Sequence, residues 1–172
     1  MARIACIMSE RRAAGRGGPG AVMGSKNLKA IAAIGHGRVT VHHLAAFMQS
    51  VHDAWRRINE TPFLRHALSR YGSCVSAGLV SETGILPTRN WQTGVFEGVA
   101  ALLPRAYRES TVLKDVACPS CPIACSKFCR GTDDCISEGP EYETLYSFGS
   151  ACGNGDIKRV VQADLLCDQW GI

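Results

Sequence analysis

The run Cys118-Pro-Ser-Cys121-Pro-Ile-Ala-Cys125 constrains this chain more than any other segment. Spacers of two and three residues let successive thiolates converge on adjacent corners of a 4Fe–4S cluster, whose standard ligands are cysteines. A chain that builds such a site moves electrons. Two plainer readings stand beside this one: a zinc knuckle, and thiols packed as small hydrophobes. Zinc sites usually come as two separated pairs, often with histidine. The nearest histidine to this run is His66, so the spacing favours iron–sulfur.

At 172 residues the chain can bury a core and form one or two small domains. No apolar run is long enough to cross a bilayer, and no export signal opens the sequence. Nine cysteines without such a signal argue against a secreted disulfide framework and for a reducing, cytoplasmic setting. The net charge of +4 conceals an asymmetry. Residues 1–40 carry seven Lys and Arg against Glu10 alone, and glycine is frequent among them. A basic, glycine-rich head suggests an anionic ligand, with phosphate foremost, although a solvated charged face has the same composition. Nucleic acid would call for aromatics between the basic residues, and residues 1–40 contain none.

Local patterns then predict elements. Ile4–Met8 reads as the tail of a buried strand. Arg11–Gly20 is too rich in Gly and Pro for a regular element and suits close backbone approach to a ligand. Ala30–Ile34 and Arg38–Val41 read as two short strands around a Gly-His-Gly turn. From His42 the period becomes helical, with Leu44, Phe47, Met48, Val51 and Trp55 on one face. A second helix is expected over Phe63–Tyr71, and residues 72–112 look irregular. A helix follows Gly139-Pro140, with the proline placed to start it. Asp156 caps a last helix running to Trp170. On that helix Ile157, Val161 and Leu165 form an apolar row with Asp168 beside it, and a carboxylate there needs a partner or a ligand.

Four separated motifs and a terminal one together resemble the aldehyde:ferredoxin oxidoreductase family, the tungsten-pterin enzymes. They are AAGRGGPGAVMGSKNLKAI at 13–31, GILPTRNWQTGVFEG at 84–98, CPSCPIAC at 118–125, EGPEYETLYSFGSACG at 138–153 and the closing CDQWGI. The last is similar to the start of a DxxGL pterin-binding motif. The resemblance implies an α+β, mainly α fold. A short β-rich end of a pterin-base domain at residues 1–41 would precede an incomplete, all-helical first helical domain at 42–172. It also implies aldehyde oxidation to carboxylic acids, with electrons leaving through the 4Fe–4S cluster to a ferredoxin-type acceptor. Tungsten, or molybdenum in some relatives, would lie between two pterins whose phosphates are bridged by magnesium.

Residue by residue, the resemblance sets Arg12 and Ala13, with Gly15, Arg16, Gly17 and Gly18, against a pterin phosphate. Asp168 would hydrogen-bond a pterin ring. Cys118, Cys121 and Cys125 would bind the cluster, and Glu143 is the candidate acid for proton handling near the metal. Carboxylates at 141 and 143 also suit a first helical turn whatever their role. Cys6, Cys74, Cys152 and Cys167 read as core thiols, while Thr88, Arg89 and Asn90 line a substrate approach or form a structural loop.

Family members are several times longer, so the expectation is an internal fragment, inactive and poorly soluble alone. The fourth cluster cysteine, the second DxxGL motif and a histidine near the metal would come from elsewhere. Cys129, one turn beyond Cys125, and Cys135 are the local candidates for a fourth ligand. On those two cysteines rests a rival reading, a stand-alone 4Fe–4S electron-transfer module. A non-functional gene fragment is the other. No nucleic-acid or membrane partner is expected, and a homo-oligomer is compatible with the sequence.

Overall fold

The computed structural model describes residues 2–9 and 12–172. Met1, Glu10 and Arg11, the last two part of the charge count above, lie outside the described residues. The architecture is α+β and mainly α, as expected, with helices around two small antiparallel sheets. It divides into two compact units, Met1–Asp53 with Leu166–Ile172, and Ala54–Leu165.

In the first unit β1 (Ile7–Ser9) pairs antiparallel with β2 (Arg12–Ala14), Ile7 opposite Ala14 and Ser9 opposite Arg12. The start of the supposedly irregular stretch is therefore a strand, because the glycines begin only at residue 15. The stretch also ends in a helix, α1 (Pro19–Ser25), with proline in its first turn, where a missing N–H costs no hydrogen bond. The hairpin expected over residues 30–41 does not form; residues 29–41 have no regular structure. A two-stranded ribbon is marginal alone, and among the described residues nothing in the unit covers Ile34, which is 84% exposed. The helical period after His42 does become α2 (Leu44–Glu60). Its Leu44, Phe47, Met48 and Trp55 are all exposed.

In the second unit the helix expected over 63–71 opens as a π-helix, Phe63–Leu68, and tightens into α3 (Ser69–Tyr71). Residues 72–112 are more ordered than the sequence suggested. They contain α4 (Ser76–Glu82), a 3-10 turn at Val99–Leu102, and α5 (Pro104–Thr111) with Pro104 in its first turn. A three-stranded sheet follows, so residues 42–172 are not purely helical. Its strands are β3 (Val112–Val116), β4 (Ser126–Arg130) and β5 (Ile136–Glu138), in that spatial order. Val116 lies opposite Ser126, and Phe128 lies opposite Glu138.

α6 (Tyr142–Phe148) has Glu141 as its N-cap position, so Pro140 precedes the helix rather than starting it. α7 (Ile157–Trp170) begins as predicted. The Asp156 carboxylate accepts from the backbone N–H of Lys158 at 3.0 Å and of Arg159 at 3.3 Å. Leu86, Leu102, Tyr107, Leu145, Val160 and Val161 form the core between these helices and the sheet.

Candidate functional site

The cysteine run is the connection between β3 and β4, so a hairpin presents the three thiols. Ser120 and Ala124, each just before a cysteine, have positive φ of 60° and 53°. The Cys121 N–H donates to the Cys118 carbonyl at 3.0 Å, closing the first turn. Cys118 is exposed, and Cys121 and Cys125 are half-buried. Burial pushes the Cys125 thiol up, reinforced by the charge of Glu141 and by the Cys121 thiol.

Two residues that sequence reasoning missed anchor the end of this loop. The Lys127 side chain is only 1% exposed. Its ammonium donates to the carbonyls of Ala124 at 2.8 Å, Cys125 at 3.2 Å and Ser126 at 3.3 Å. It also reaches the Ser69 carbonyl on α3 at 2.8 Å and the Asp115 carboxylate at 3.3 Å. A buried ammonium is tolerable only when so bonded. The second anchor is Gly72, at φ 63° and ψ −161°, a region essentially reserved for glycine. A Cβ on Gly72 would lie 2.6 Å from the Cys125 carbonyl oxygen. A glycine closing the helical run was visible in the sequence. Nothing in the sequence pattern marked Lys127.

None of the nine cysteines is in a disulfide. Cys129 is not one helical turn beyond Cys125, because the intervening chain is strand. Four strand residues separate the two by roughly 13 Å. Cys129 is fully buried, its sulfur 3.2 Å from the Tyr107 hydroxyl, and burial pushes its thiol up to about 11. Cys135 is held beside Gly131, whose N–H donates to its carbonyl at 2.8 Å, past the far end of β4 and roughly 20 Å from Cys125 by strand length. Neither can share a compact cluster with the loop. Cys74 is a core thiol, as expected, but Cys152 is exposed and is not.

Among the described residues no three His, Cys, Asp or Glu side chains stand close enough to enclose one metal ion. Thiolates that bind different irons of a cluster stand further apart than ligands of a single ion. Three thiols on one open loop, with soft sulfur donors and no histidine, fit an iron–sulfur group in kind.

Glu143 is exposed in the first turn of α6. Its neighbour Glu141 is engaged, accepting from the Ser73 hydroxyl, which in turn accepts from the Tyr142 N–H at 2.8 Å. Asp168 is exposed and already interacts with a neighbour. The carboxylate on the inner face of α7 is instead Asp164, one turn past Val160 and Val161, which accepts from the Ser137 hydroxyl at 2.6 Å. Thr88 is buried, and Arg89, Asn90 and Trp91 form three consecutive residues of positive φ. Their loop is fixed by Arg89 N–H to the Ser150 carbonyl and Asn90 N–H to the Ala151 carbonyl, and the Arg89 guanidinium pairs with Glu97.

The glycine-rich loop lies in the first unit. Arg12 and Ala13 are in β2; Gly15, Arg16, Gly17 and Gly18 turn the chain into α1. Gly18 has φ 70°, and any side chain there would overlap the Arg3 carbonyl. The Cys6 N–H donates to the Gly171 carbonyl at 2.7 Å, and the Gly20 N–H to the Ala5 carbonyl at 2.9 Å. These bonds place the end of α7, with Asp168, in the same unit as Arg12–Gly18. An open cavity of about 550 Å³ adjoins β1, lined by Ile7, Met8, Met23, Leu28 and Lys29 among others. Cys118, Cys121, Cys125 and Glu143 belong to the second unit.

The thiol hairpin lies in the second unit and the glycine turn into α1 in the first. Residues 49–172 match the family model described as aldehyde ferredoxin oxidoreductase, domains 2 and 3. Residues 1–35 match the one described as the N-terminal domain of the same enzymes. The chain belongs to the aldehyde ferredoxin oxidoreductase family. It is 36% identical over 173 positions to the tungsten-containing aldehyde ferredoxin oxidoreductase of Thermococcus kodakarensis, covering 100% of this chain and 29% of that protein. To the enzyme of the same name from Pyrococcus abyssi it is 37% identical, covering 99% and 28%. The aliphatic sulfonate oxidoreductase, WOR-like subunit, of Pyrococcus furiosus is 30% identical, covering 99% and 28%. The chain thus spans less than a third of the length of these relatives. Among the described residues no helix is long and apolar enough to cross a membrane.

Proposed function

We propose that this chain contributes the iron–sulfur loop and part of the pterin cradle to an oxidoreductase that converts aldehydes to carboxylic acids. The acceptor is a ferredoxin-type protein, and a cytoplasmic setting suits nine cysteines without a disulfide. The observation that carries the reading is the β3–β4 loop, with three thiols on a turn anchored from beneath by Lys127 and Gly72. Family membership supplies the reaction class.

Cys118, Cys121 and Cys125 hold three corners of a 4Fe–4S cluster, and the fourth ligand comes from outside the loop. The turn at Gly15–Gly18 and the guanidiniums of Arg12 and Arg16 offer donors to a pterin phosphate, whose own oxygens would hold magnesium. Asp168 accepts from the pterin ring. When bound, the tungsten (or molybdenum) bis-pterin takes up the electron pair that leaves the substrate. Aldehyde and water give the acid, two electrons and two protons, so a proton carrier is required. Glu143 suits that role better than Glu141, whose carboxylate is held by Ser73.

The test uses the full-length enzyme purified without oxygen, assayed for tungsten, iron, acid-labile sulfide and aldehyde-dependent viologen reduction. Cys118→Ser, Cys121→Ser and Cys125→Ser each lose iron and sulfide, and Glu143→Gln lowers kcat with metal content intact. Wild-type protein without iron and sulfide, or three serine variants that keep both, would sink the reading.

A further inference from the structure

We propose that Lys127 is a positioning residue for the cysteine loop, and that its buried charge raises the reduction potential of the group bound there. The inference rests on the reading of residues 118–125 as a 4Fe–4S loop. Three consecutive carbonyls, those of Ala124, Cys125 and Ser126, turn toward one ammonium, and a fourth comes from Ser69 on α3. The side chain thus ties the last cysteine of the loop to a helix outside the hairpin. A neutral amide has two N–H donors, whereas an ammonium has three. Charge-assisted bonds of this kind are also stronger than neutral ones.

The sign of the local charge follows from the partners. Asp115 contacts Lys127 at 3.3 Å, but it also accepts from the two terminal guanidinium nitrogens of Arg108, at 2.7 and 3.1 Å. The Arg108–Asp115–Lys127 group therefore carries a net charge of +1. Arg108 and Asp115 are partly exposed, so water screens them more than it screens the Lys127 ammonium, which reaches the loop carbonyls directly. The opposing charge is the Glu141 carboxylate, held by Ser73. A reduced cluster carries one more negative charge than the oxidised one. A net positive group in a poorly solvated site stabilises that added electron, and charge, hydrogen bonding and exposure are the protein's levers on cluster potential.

The experiment is a redox titration of the full-length holoenzyme followed by the EPR signal of the reduced cluster, with iron counted in each sample. Lys127→Met is expected to lower the midpoint. A tenfold fall in the reduced-to-oxidised ratio at fixed potential corresponds to about 59 mV for one electron. Asp115→Asn, at a partly exposed position, removes a negative charge while leaving the carbonyl bonds, and should raise the midpoint with full iron content. A wild-type midpoint in both variants, or an upward shift in Lys127→Met, overturns the proposal. Should Lys127→Met lose its iron outright, Asp115→Asn decides: an upward shift supports the charge effect and no shift refutes it. An absent cluster signal in the wild type would instead remove the functional reading on which this inference rests.

Discussion

Gly72→Ala tests how the cysteine loop is held. Gly72 sits at φ 63°, ψ −161°, where an L-residue costs about 1–3 kcal/mol in backbone strain. The added Cβ would also stand 2.6 Å from the Cys125 carbonyl oxygen, closer than real Cβ atoms approach. Relief requires several tenths of an ångström of movement between α3 and the loop. The Lys127 bond to that carbonyl is already 3.2 Å long, so a shift of this size breaks it. Losing a hydrogen bond to a charged group adds about 1.5–3 kcal/mol. The sum is a destabilisation of about 2.5–6 kcal/mol.

Gly78→Ala is the control. Gly78 lies in α4, an added Cβ meets nothing within 4 Å, and its φ is ordinary. There the alanine should stabilise by about 0.5–1 kcal/mol, because it removes backbone freedom from the unfolded chain. Calorimetric melting of the full-length enzyme should rank Gly78→Ala above wild type and Gly72→Ala well below it. Melting of Gly72→Ala at or above wild type would refute the close-approach argument, as would two shifts of the same sign.

Asp156→Ala removes the α7 cap that serves the N–H groups of Lys158 and Arg159, and should cost about 1 kcal/mol in a denaturant titration. Loss of stability at high pH should have a thiol component. Cys129 has its pKa raised from 9.0 to about 11 by burial, so the unfolded chain releases that proton first. Its contribution is therefore full below pH 9, falls as pH rises toward 11, and is worth about 3 kcal/mol at most. Cys129→Ala should flatten the decline between those limits, and an unchanged slope would count against the assignment. In iron-depleted protein, iodoacetamide should label Cys118 long before Cys74 and Cys129, read by peptide mass spectrometry. Equal rates would contradict the burial of the latter two.

Several helices were legible because their signals are local. The apolar spacing of three and four between Leu44 and Trp55 gives α2, and Asp156 ahead of Ile157 gives the start of α7. The cysteine spacing identified the loop without any knowledge of the strands that carry it. The sheet itself was hidden. β3 contains an irregularity between Val112 and Lys114 that breaks the alternation of period two, and β4 buries a lysine where the pattern calls for an apolar residue. The same hidden strand misplaced Cys129 by assuming a helical step after Cys125. At the other extreme, residues 30–41 have strand-like composition, but pairing them needs a third partner that the unit does not supply. Asp164 and Asp168 differ by one turn of α7, and only the packing against Ser137 shows which is inside.

The two proposed sites, one in each unit, are held by different physics. The cysteine loop rests on a unit whose core contains fully buried Leu86, Leu102, Tyr107, Leu145, Val160 and Val161. Its turn geometry follows from close packing and from one buried charge, both of which are present before any cofactor is. In the first unit, among the described residues, only Gly18 and Gly171 are buried. The glycine-rich turn there is shaped by backbone bonds such as Cys6 to Gly171 and Gly20 to Ala5, with apolar Ile31, Ile34 and Val39 in water. Hydrogen bonds contribute about 1 kcal/mol each, too little alone to offset the ordering of several tens of residues. A ligand that binds only the folded form adds stability in proportion to the logarithm of its concentration over its Kd. The proposed phosphate site of the first unit is therefore expected to gain most of its order from what it binds and from apolar cover, whereas the thiol loop of the second unit is preorganised. Mutations in the second unit should act through geometry and potential, and mutations at Arg12–Gly18 through cofactor retention.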